Sequence, residues 1–185
     1  MPADRRTVLA DAAIDVLAEA GIRGLTHRAV DRAAHLPPGT TSAYYRTRQA
    51  LLGALVRRLV ALDQAELQAI GEQAPMPRNA GELAAGIAAF VEQRLTGDGR
   101  RRSLARYACA IESVHHPELR EILVPRENAA RQAVRDFLAA QGVADAEDRT
   151  VTLLTCVDGL VFDRLVGGGA VSDQEIGGLV AAALR

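Results

Sequence analysis

Apolar residues recur along most of the chain at spacings of three and four, which is the period of one face of an α-helix. The first such pattern begins near Asp4, continues to Ala20 and stops at Gly21. Alternation of apolar and polar residues, the pattern of a half-buried strand, is absent over any useful length. Glycine and proline punctuate the chain at intervals suited to helices of roughly ten to twenty residues. We therefore predict an all-α fold.

Two short helices and a long one follow in the prediction. Thr26 is a good N-cap because its hydroxyl can accept a hydrogen bond from an unpaired backbone N–H of the first turn. Pro37-Pro38 cannot continue that helix, but Pro38 suits the first position of the next one, where its missing N–H has no partner to lose. A scaffold helix then covers about residues 47–70. This succession predicts a helix-turn-helix joined to a long helix.

The rest of the chain predicts about six helices, counting the scaffold helix. Asn79 is a plausible cap for the second of them, and Gly97-Asp98-Gly99 is expected to end it. Residues 172–175 have the pattern of a capping box at the start of the last helix. Pro125 lies inside an apolar pattern over residues 119–138, and it must kink or restart that helix because it lacks an N–H.

The charges are distributed unevenly, although the net charge of the whole chain is only −1. Nine arginines and five acidic residues give residues 1–60 a charge of +4, so the remainder carries −5. This asymmetry suits a DNA-binding head on an acidic body. Arg46 and Arg48 lie where the scaffold helix begins, and there the helix dipole disfavours a cation by about 0.3–1 kcal/mol. A phosphate between them would resolve this conflict; the alternative is a solvated arginine pair.

Few residues suggest catalysis or metal binding. Cys109, Glu112, His115 and His116 could form a metal or catalytic cluster, but Cys109 and His116 are nearly two turns apart and no second ligand group is evident. We prefer His115 as a polar group within a core or a ligand pocket. No nucleophile elbow, phosphate-binding glycine loop, zinc-binding helix or carboxylate pair occurs, so we expect no enzyme activity, no cofactor and no metal. No signal peptide or membrane span is evident, so we expect a cytoplasmic protein.

The stretch from Leu25 to Leu52 resembles the N-terminal pattern of the tetracycline-repressor (TetR/AcrR) family of bacterial transcriptional regulators. The residues that match that pattern are Gly21, Gly24-Leu25-Thr26, Ala33-Ala34, Gly39-Thr40, Tyr44-Tyr45, Thr47-Arg48 and Leu51-Leu52. The sequence departs from it at His35, where glycine is usual, at Pro37, where a hydroxyl cap is usual, and at Ser42, where an aromatic residue is usual. A histidine at position 35 carries modest strain, because glycine suits the left-handed conformation that ends a helix.

The resemblance implies a helix-turn-helix DNA-binding domain over residues 1–46 and a regulatory ligand-binding and dimerisation domain over residues 47–185. It implies a homodimeric repressor that binds a palindromic operator in double-stranded DNA and is released by a small-molecule effector of unknown identity, without a membrane partner. The residues expected to contact DNA are Thr26, His27, Arg28, Gly39, Thr40, Thr41, Ser42, Tyr44, Tyr45, Arg46 and Arg48. Among these, we expect residues 40, 41, 42 and 44 nearest the base edges and residues 26, 27, 45, 46 and 48 against phosphates, with residue 28 able to reach either. The competing interpretation is a helical ligand- or metal-binding protein whose head motif is fortuitous.

Two further sets of residues follow from the apolar stripes of the body. One set mixes apolar and polar groups as small-molecule pockets do, and the alternative is a solid core. This ligand-binding set comprises Phe90, Tyr107, Ile111, His115, Ile122, Arg126 and Phe137. The last two helices carry stripes that a second subunit could cover, and the alternative is packing within one subunit. This dimer set comprises Leu154, Asp158, Val161, Phe162, Leu165, Ile176, Leu179, Val180 and Ala183.

Overall fold

The computed structural model describes residues 4–73, 76–123 and 128–185. Within these ranges the chain forms ten helices and no strand, which confirms the all-α prediction. The helices are α1 (Arg5–Gly24), α2 (His27–Ala33), α3 (Thr40–Tyr44), α4 (Arg48–Gln73), α5 (Ala80–Leu95), α6 (Gly97–Glu112), α7 (Pro117–Leu123), α8 (Ala129–Ala140), α9 (Ala146–Gly167) and α10 (Asp173–Ala183). None of the described helices is long and apolar enough to cross a membrane.

Three helix starts lie where capping chemistry predicts them. The Thr26 hydroxyl accepts a hydrogen bond from the Ala29 N–H at 3.2 Å, so α2 begins with the expected cap. Asn79 caps α5 in the same way. Ser172 and Glu175 form the complete capping box of α10, in which each side chain accepts from the other residue's backbone N–H. These ends depend on local hydrogen bonds, which is why a short stretch of sequence predicts them.

The predicted end of the first helix is also present in the structure. Gly21 has φ 64° and ψ −174°, a conformation that lies outside the α-helical region and that glycine adopts without a Cβ penalty. The helical residues that follow it, up to Gly24, form a short continuation beyond this kink. Regular helix therefore stops at the glycine that the apolar pattern identified.

One predicted boundary is wrong. Pro38 does not open a helix: it lies in a turn, and α3 begins two residues later at Thr40, after Gly39 with φ 93°. The predicted end of the helix that Asn79 caps is confirmed, because α5 stops at Leu95 and Gly97, with φ 47°, follows it and begins α6. Packing requires glycine at position 99, since a Cβ there would lie 1.8 Å from the Gln93 carbonyl oxygen.

The apolar pattern over residues 119–138 corresponds to two helices. The helix α7 ends at Leu123, and α8 begins at Ala129 behind the Asn128 side chain, which accepts from the Arg131 N–H at 2.9 Å. Pro125 lies outside the described residues. The proline was expected to kink or restart the helix, and the separate helices α7 and α8 agree with a restart.

Contacts between residues divide the chain into two compact units. The first unit comprises residues 1–63 and 101–125, so it contains the helix-turn-helix together with most of α6 and all of α7. Its core is built from leucine, valine, isoleucine and alanine, and the fully buried side chains come from several helices. These side chains include Leu9, Leu17, Leu25, Val30, Leu51, Leu55, Leu59, Ala105, Cys109, Leu119 and Leu123. The domain boundary predicted after residue 46 stays a prediction.

Polar contacts join α4, α6 and α7 within this unit. Arg106 on α6 donates to the Asp63 carboxylate on α4 at 2.9 Å and to the Leu123 carbonyl at the end of α7 at 3.2 Å. Gln49 in the first turn of α4 donates to Glu118 on α7 at 2.5 Å. Both ends of the short helix α7 are therefore hydrogen-bonded to longer helices.

The second unit comprises residues 64–100 and 126–185. Its helix α9 contacts α5, α8 and α10, and α10 also contacts α5. Each helix buries one stripe of its surface against the others. The buried residues are Leu83, Ile87 and Val91 on α5, Val134, Phe137 and Leu138 on α8, Leu153, Val157, Val161 and Leu165 on α9, and Ile176, Val180 and Ala183 on α10.

His35 carries the predicted backbone strain, since its φ of 53° lies in the left-handed region. Its side chain is exposed, so replacing it loses little packing. We expect His35→Gly to raise the free energy of unfolding by about 1 kcal/mol, because a non-glycine residue in this region costs about 1–3 kcal/mol and added chain entropy offsets part of the gain. His35→Ala is the control, since it removes the imidazole but keeps the Cβ and the strain. Thermal denaturation that ranked alanine above glycine would contradict this account.

Candidate nucleic-acid interface

The helix α3 has only five residues and exposes most of them. Thr41 is its one buried residue, with no exposed surface. Ser42 and Ala43 are exposed, Tyr44 is 39 % exposed, and Thr40 is half-buried. So short a helix is unstable by itself, because the cost of forming the first turn is recovered only by later turns or by tertiary contacts. Its position must therefore depend on contacts with other helices.

At its N-terminal end, α3 is held by a carboxylate from α2. Asp31 is 2 % exposed, and its two oxygens accept three hydrogen bonds. These come from the Gly39 N–H at 2.8 Å, the Thr41 N–H at 2.7 Å and the Thr41 hydroxyl at 2.5 Å. Gly39 precedes α3 and has no side chain to cap it. Asp31 thus takes the place of an N-cap residue from eight positions earlier in the chain.

Two opposing effects act on the pKa of Asp31. Burial alone raises the pKa, but the hydrogen bonds from Thr41 and Gly39, with a smaller contribution from His27, lower it below the usual value for aspartate. A carboxylate whose pKa is lowered by folding stabilises the folded state at any pH above its unfolded pKa of about 4. That contribution is lost only as the pH falls through the lowered folded value, so Asp31 is charged at neutral pH.

At the C-terminal end, α3 is held by Tyr45. This residue is only 7 % exposed, and its hydroxyl donates to the Arg6 carbonyl on α1 at 3.2 Å. The His27 ring nitrogen Nε2 lies 2.6 Å from the Tyr45 carbonyl oxygen. The Arg6 guanidinium carbon lies 5.6 Å from the ring centroid of Tyr44 and 5.7 Å from that of Tyr45, within cation–π range. Both ends of α3 are therefore anchored, while its middle stays exposed.

The two predicted phosphate-binding arginines differ in their surroundings. Arg46 is exposed between α3 and α4. Arg48 donates from Nη1 to the Leu25 carbonyl at 2.5 Å and from Nη2 to the Ile22 carbonyl. These two carbonyls follow the kink in α1, so Arg48 satisfies acceptors at a frayed helix end. Arg48 is thus a structural clamp between α1 and α4 in this chain.

The structure sorts the predicted DNA-contacting residues by exposure. Those that present surface to a partner are Thr26, Arg28, Gly39, Thr40, Ser42, Tyr44 and Arg46. Two assignments need correction. Thr41 was expected near a base edge, but it is fully buried against Asp31, and Tyr45 was expected on a phosphate, but its ring lies in the core. His27 and Arg48 keep some exposure but make the internal hydrogen bonds described above.

Sequence reasoning missed Asp31 and Arg6, which it counted only as charges. A signal for Asp31 was available: a glycine directly before a short helix leaves the first N–H groups without a local acceptor. An isolated carboxylate next to Val30 on the preceding helix is a natural candidate for that acceptor. No comparable signal identifies Arg6, because only the fold brings α1 beside the two tyrosines.

The predicted ligand-binding residues lie in different parts of the molecule. Tyr107, Ile111, His115 and Ile122 belong to the first unit, whereas Phe90 and Phe137 belong to the second. Ile111 is 68 % exposed and His115 is exposed, so His115 does not lie in a core, and its alternative place in a ligand pocket stays a prediction. Phe137 is 2 % exposed, and Phe90 is half-buried with the Arg94 guanidinium 4.8 Å above its ring. Arg126 lies outside the described residues.

The predicted dimer residues also divide by burial. Five of them are at most 7 % exposed because they form the core between α5, α9 and α10, which corrects their assignment to an interface: Val161, Leu165, Ile176, Val180 and Ala183. The other four retain surface, namely Leu154, Asp158, Phe162 and Leu179. Phe162 is 45 % exposed, and Val151 and Val166 on the same helix are 42 % and 74 % exposed.

The candidate metal cluster is not assembled among the residues that the structure describes. Cys109 is fully buried, and burial raises its pKa to about 12, whereas His115 is exposed. His116 instead lies 3.5 Å from carboxylate oxygens of Glu112 and Glu118. No group of three or more potential metal ligands occurs within the described ranges.

The short helices α2 and α3, joined by a turn and with α2 packed against α1, place the chain in the class of helix-turn-helix proteins. Residues 78–185 match the family model of the tetracyclin repressor-like C-terminal domain. This match covers more than half of the chain, and the chain belongs to the tetracycline-repressor family of transcriptional regulators. The resemblance derived from residues 25–52 is therefore confirmed by a different part of the sequence.

Solved structures of similar fold cover nearly the whole chain. A transcriptional regulator from Rhodococcus sp. Rha1 has a TM-score of 0.75 at 24 % identity, over 97 % of this chain and 94 % of its own. A TetR-family member from Streptomyces coelicolor A3 has a TM-score of 0.73 at 23 % identity, over 98 % and 99 %. The multidrug binding protein EbrR, complexed with ethidium, has a TM-score of 0.71 at 24 % identity, over 98 % and 99 %. At these identities the likeness shows the fold. No curated protein matches the chain.

Proposed function

We propose that this regulator is a homodimeric repressor that binds a palindromic operator through α3 and is released from it by a small molecule. The observation that carries the proposal is the exposed middle of α3, bordered by exposed arginines. Arg28 lies on α2 and Arg46 follows α3, so a cation is available on either side of the exposed Ser42 and Tyr44. Hydroxyl and phenol groups can bond base edges, and arginines bond phosphates.

We assign the contacts with DNA according to exposure. Thr40, Ser42 and Tyr44 are placed nearest the base edges of the major groove, while Arg28 and Arg46 are placed against phosphates. Arg48 donates to two backbone carbonyls, so we assign it to a phosphate only through its remaining N–H groups. The net charge of +4 over residues 1–60 supports this arrangement, because phosphate neutralisation supplies most of the sequence-independent affinity.

The exposed face of α9 supports a second copy of the chain as partner. Val151, Phe162 and Val166 recur along this helix and leave apolar surface in contact with water. Gly159 lies on the same face, and a Cβ at that position would meet nothing within 4 Å. Glycine inside a helix costs about 1 kcal/mol relative to alanine, and no contact with the part of the chain that the structure describes explains it here. A close approach by the α9 helix of a second subunit does explain it.

A two-fold dimer has a geometric consequence for the operator. Two copies of α3 related by a two-fold axis read two half-sites in opposite orientation, which makes the operator palindromic. The half-sites are then separated by about one turn of DNA, roughly 34–36 Å, or a multiple of it.

The small-molecule effector is inferred from the family and from structural relatives. EbrR structures are complexed with ethidium, proflavin and malachite green, which are cationic aromatic dyes. In this chain Phe90 is a half-buried aromatic residue of the predicted ligand-binding set. A ligand changes operator affinity only if it binds one conformation better than another. The helix α4 is the proposed lever, because its residues belong to both units.

The first test concerns DNA. Fragments selected from genomic DNA should bind the wild-type protein in gel shifts at low salt. Arg46→Ala should reduce the slope of log affinity against log salt concentration by about one, as expected for the loss of one phosphate contact. Arg48→Ala should weaken binding to all duplexes and also lower the free energy of unfolding by about 1–3 kcal/mol, since it removes two charged hydrogen bonds. Arg149→Ala, an exposed arginine of α9, is the control with the same charge change. Absence of binding to any fragment would refute the proposal.

The second test concerns the dimer. Phe162→Glu would place a charge in the proposed interface and should shift the protein to monomer, as measured by light scattering across a concentration series. Ala89→Glu adds the same charge to an exposed position of α5 and should leave the dimer intact. If Phe162→Glu remained dimeric, the interface would have to lie on another face.

The third test concerns the effector. A thermal-shift screen that begins with ethidium and related cationic dyes should yield a ligand that raises the melting temperature. At saturation that ligand should weaken operator binding at least tenfold, which needs only about 1.4 kcal/mol of preferential binding to the released conformation. Phe90→Ala should weaken the binding of the ligand without altering operator affinity in its absence. Unchanged operator affinity at saturating ligand would refute the proposed coupling between ligand binding and DNA binding through α4.

A further inference from the structure

The turn between α2 and α3 contains few groups that could hold α3 in place. Pro37 and Pro38 have no backbone N–H. The Thr40 N–H donates to the Pro37 carbonyl at 3.2 Å, and the Thr40 hydroxyl donates to the same oxygen at 2.7 Å. The N–H groups of Gly39 and Thr41 at the start of α3 both donate to Asp31.

Asp31 contacts both sides of the turn. Its backbone carbonyl accepts from the Leu36 N–H at 2.9 Å, which closes the C-terminal end of α2. Its carboxylate accepts from Gly39 through Oδ2 and from Thr41 through Oδ1. Two oxygens bonded to two donors at the start of α3 restrict both its distance from α2 and its rotation about its own axis.

The bond to the Thr41 hydroxyl adds rotational control. Thr41 points inward and is fully buried, while Ser42 and Tyr44 of the same short helix are exposed. Successive side chains of a helix are fixed about 100° apart around its axis. Any rotation of α3 that moved Thr41 away from Asp31 would therefore turn the exposed side chains by the same angle. The register of the base-reading side chains is thus coupled to one buried hydrogen bond of 2.5 Å.

We propose that Asp31, acting through Thr41 and Gly39, is the positioning residue that gives α3 its ability to discriminate between DNA sequences. This inference rests on the proposed function. Asp31 touches no base, because it is 2 % exposed. The phosphate contacts assigned to Arg28 and Arg46 come from outside α3 and do not use its N-terminal N–H groups. Asp31 therefore affects discrimination much more than general affinity for DNA.

The experiment compares operator affinity with affinity for an unrelated duplex, both by fluorescence anisotropy over a series of salt concentrations. The operator is the tightest fragment selected by the wild-type protein. Asp31→Asn replaces one acceptor with an NH₂ group that faces a backbone N–H, and Thr41→Val removes the hydroxyl while filling nearly the same volume. Each should weaken operator binding by roughly ten- to a hundredfold, the loss that one misread base pair causes. Affinity for the unrelated duplex and the salt slope should stay within about twofold of wild type, since the phosphate contacts remain.

Two controls separate positioning from loss of stability. Thr41→Ser keeps the hydroxyl and should keep most of the discrimination. Val30→Ala destabilises the same helix-turn-helix, since Val30 is fully buried, but it leaves the bonds of Asp31 in place. It should lower the melting temperature without changing the ratio of the two affinities.

The outcomes are distinguishable. If Thr41→Val and Asp31→Asn, measured below their melting temperatures, kept the wild-type ratio of affinities, the positioning role would be overturned. It would also be overturned if Val30→Ala reduced that ratio as much as those two substitutions do. If Asp31→Asn fails to fold, Thr41→Val and Thr41→Ser decide between positioning and stability. A wild-type protein that showed no preference for any duplex would instead refute the proposed function.

Discussion

The N–H groups of Gly39 and Thr41 at the start of α3 bond to no acceptor in the turn or in α3 itself, and the position of the exposed helix depends on how they are satisfied. Asp31 supplies that acceptor from α2, and Tyr45 anchors the other end to α1. The end of α1 is in turn held by Arg48 from α4. A helix of five residues thus acquires a defined orientation through polar contacts with the longer helices α2 and α1, because its own backbone could not provide one.

The core of the first unit extends well beyond the helix-turn-helix. Ala105 and Cys109 of α6, together with Leu119 and Leu123 of α7, pack in the same buried cluster as residues of α1 and α4. Protein cores are close-packed, so a displacement of one helix must be accommodated by its neighbours. This continuity offers a physical route by which a change in α6 reaches the helices that carry the proposed DNA contacts.

In the second unit, the apolar stripes of α9 and α10 do not by themselves show which face of each helix packs in the core. Helices α9 and α10 were expected to present their apolar stripes to a second subunit, but Val161, Leu165 and Val180 are covered by α5 and by each other. The surface that stays exposed is the opposite side of α9, where Phe162 and Val166 lie with Gly159. The helix is apolar on two sides, so periodicity alone could not assign one side to the core and the other to a partner.

The sequence by itself determined the features that depend on neighbouring residues. The all-α class, the caps at Thr26 and Asn79, the kink at Gly21 and the family membership all follow from local hydrogen bonds, backbone restrictions and the order of motif residues. Only the tertiary structure decided which motif residues face outward. Tyr45 matches the family pattern as well as Tyr44 does, and Thr41 carries a hydroxyl as Ser42 does. Thr41 and Tyr45 are nevertheless buried, because Asp31 and α1 lie on their side of the helix. Burial depends on contacts between residues far apart in the chain, and those contacts exist only once the helices have packed.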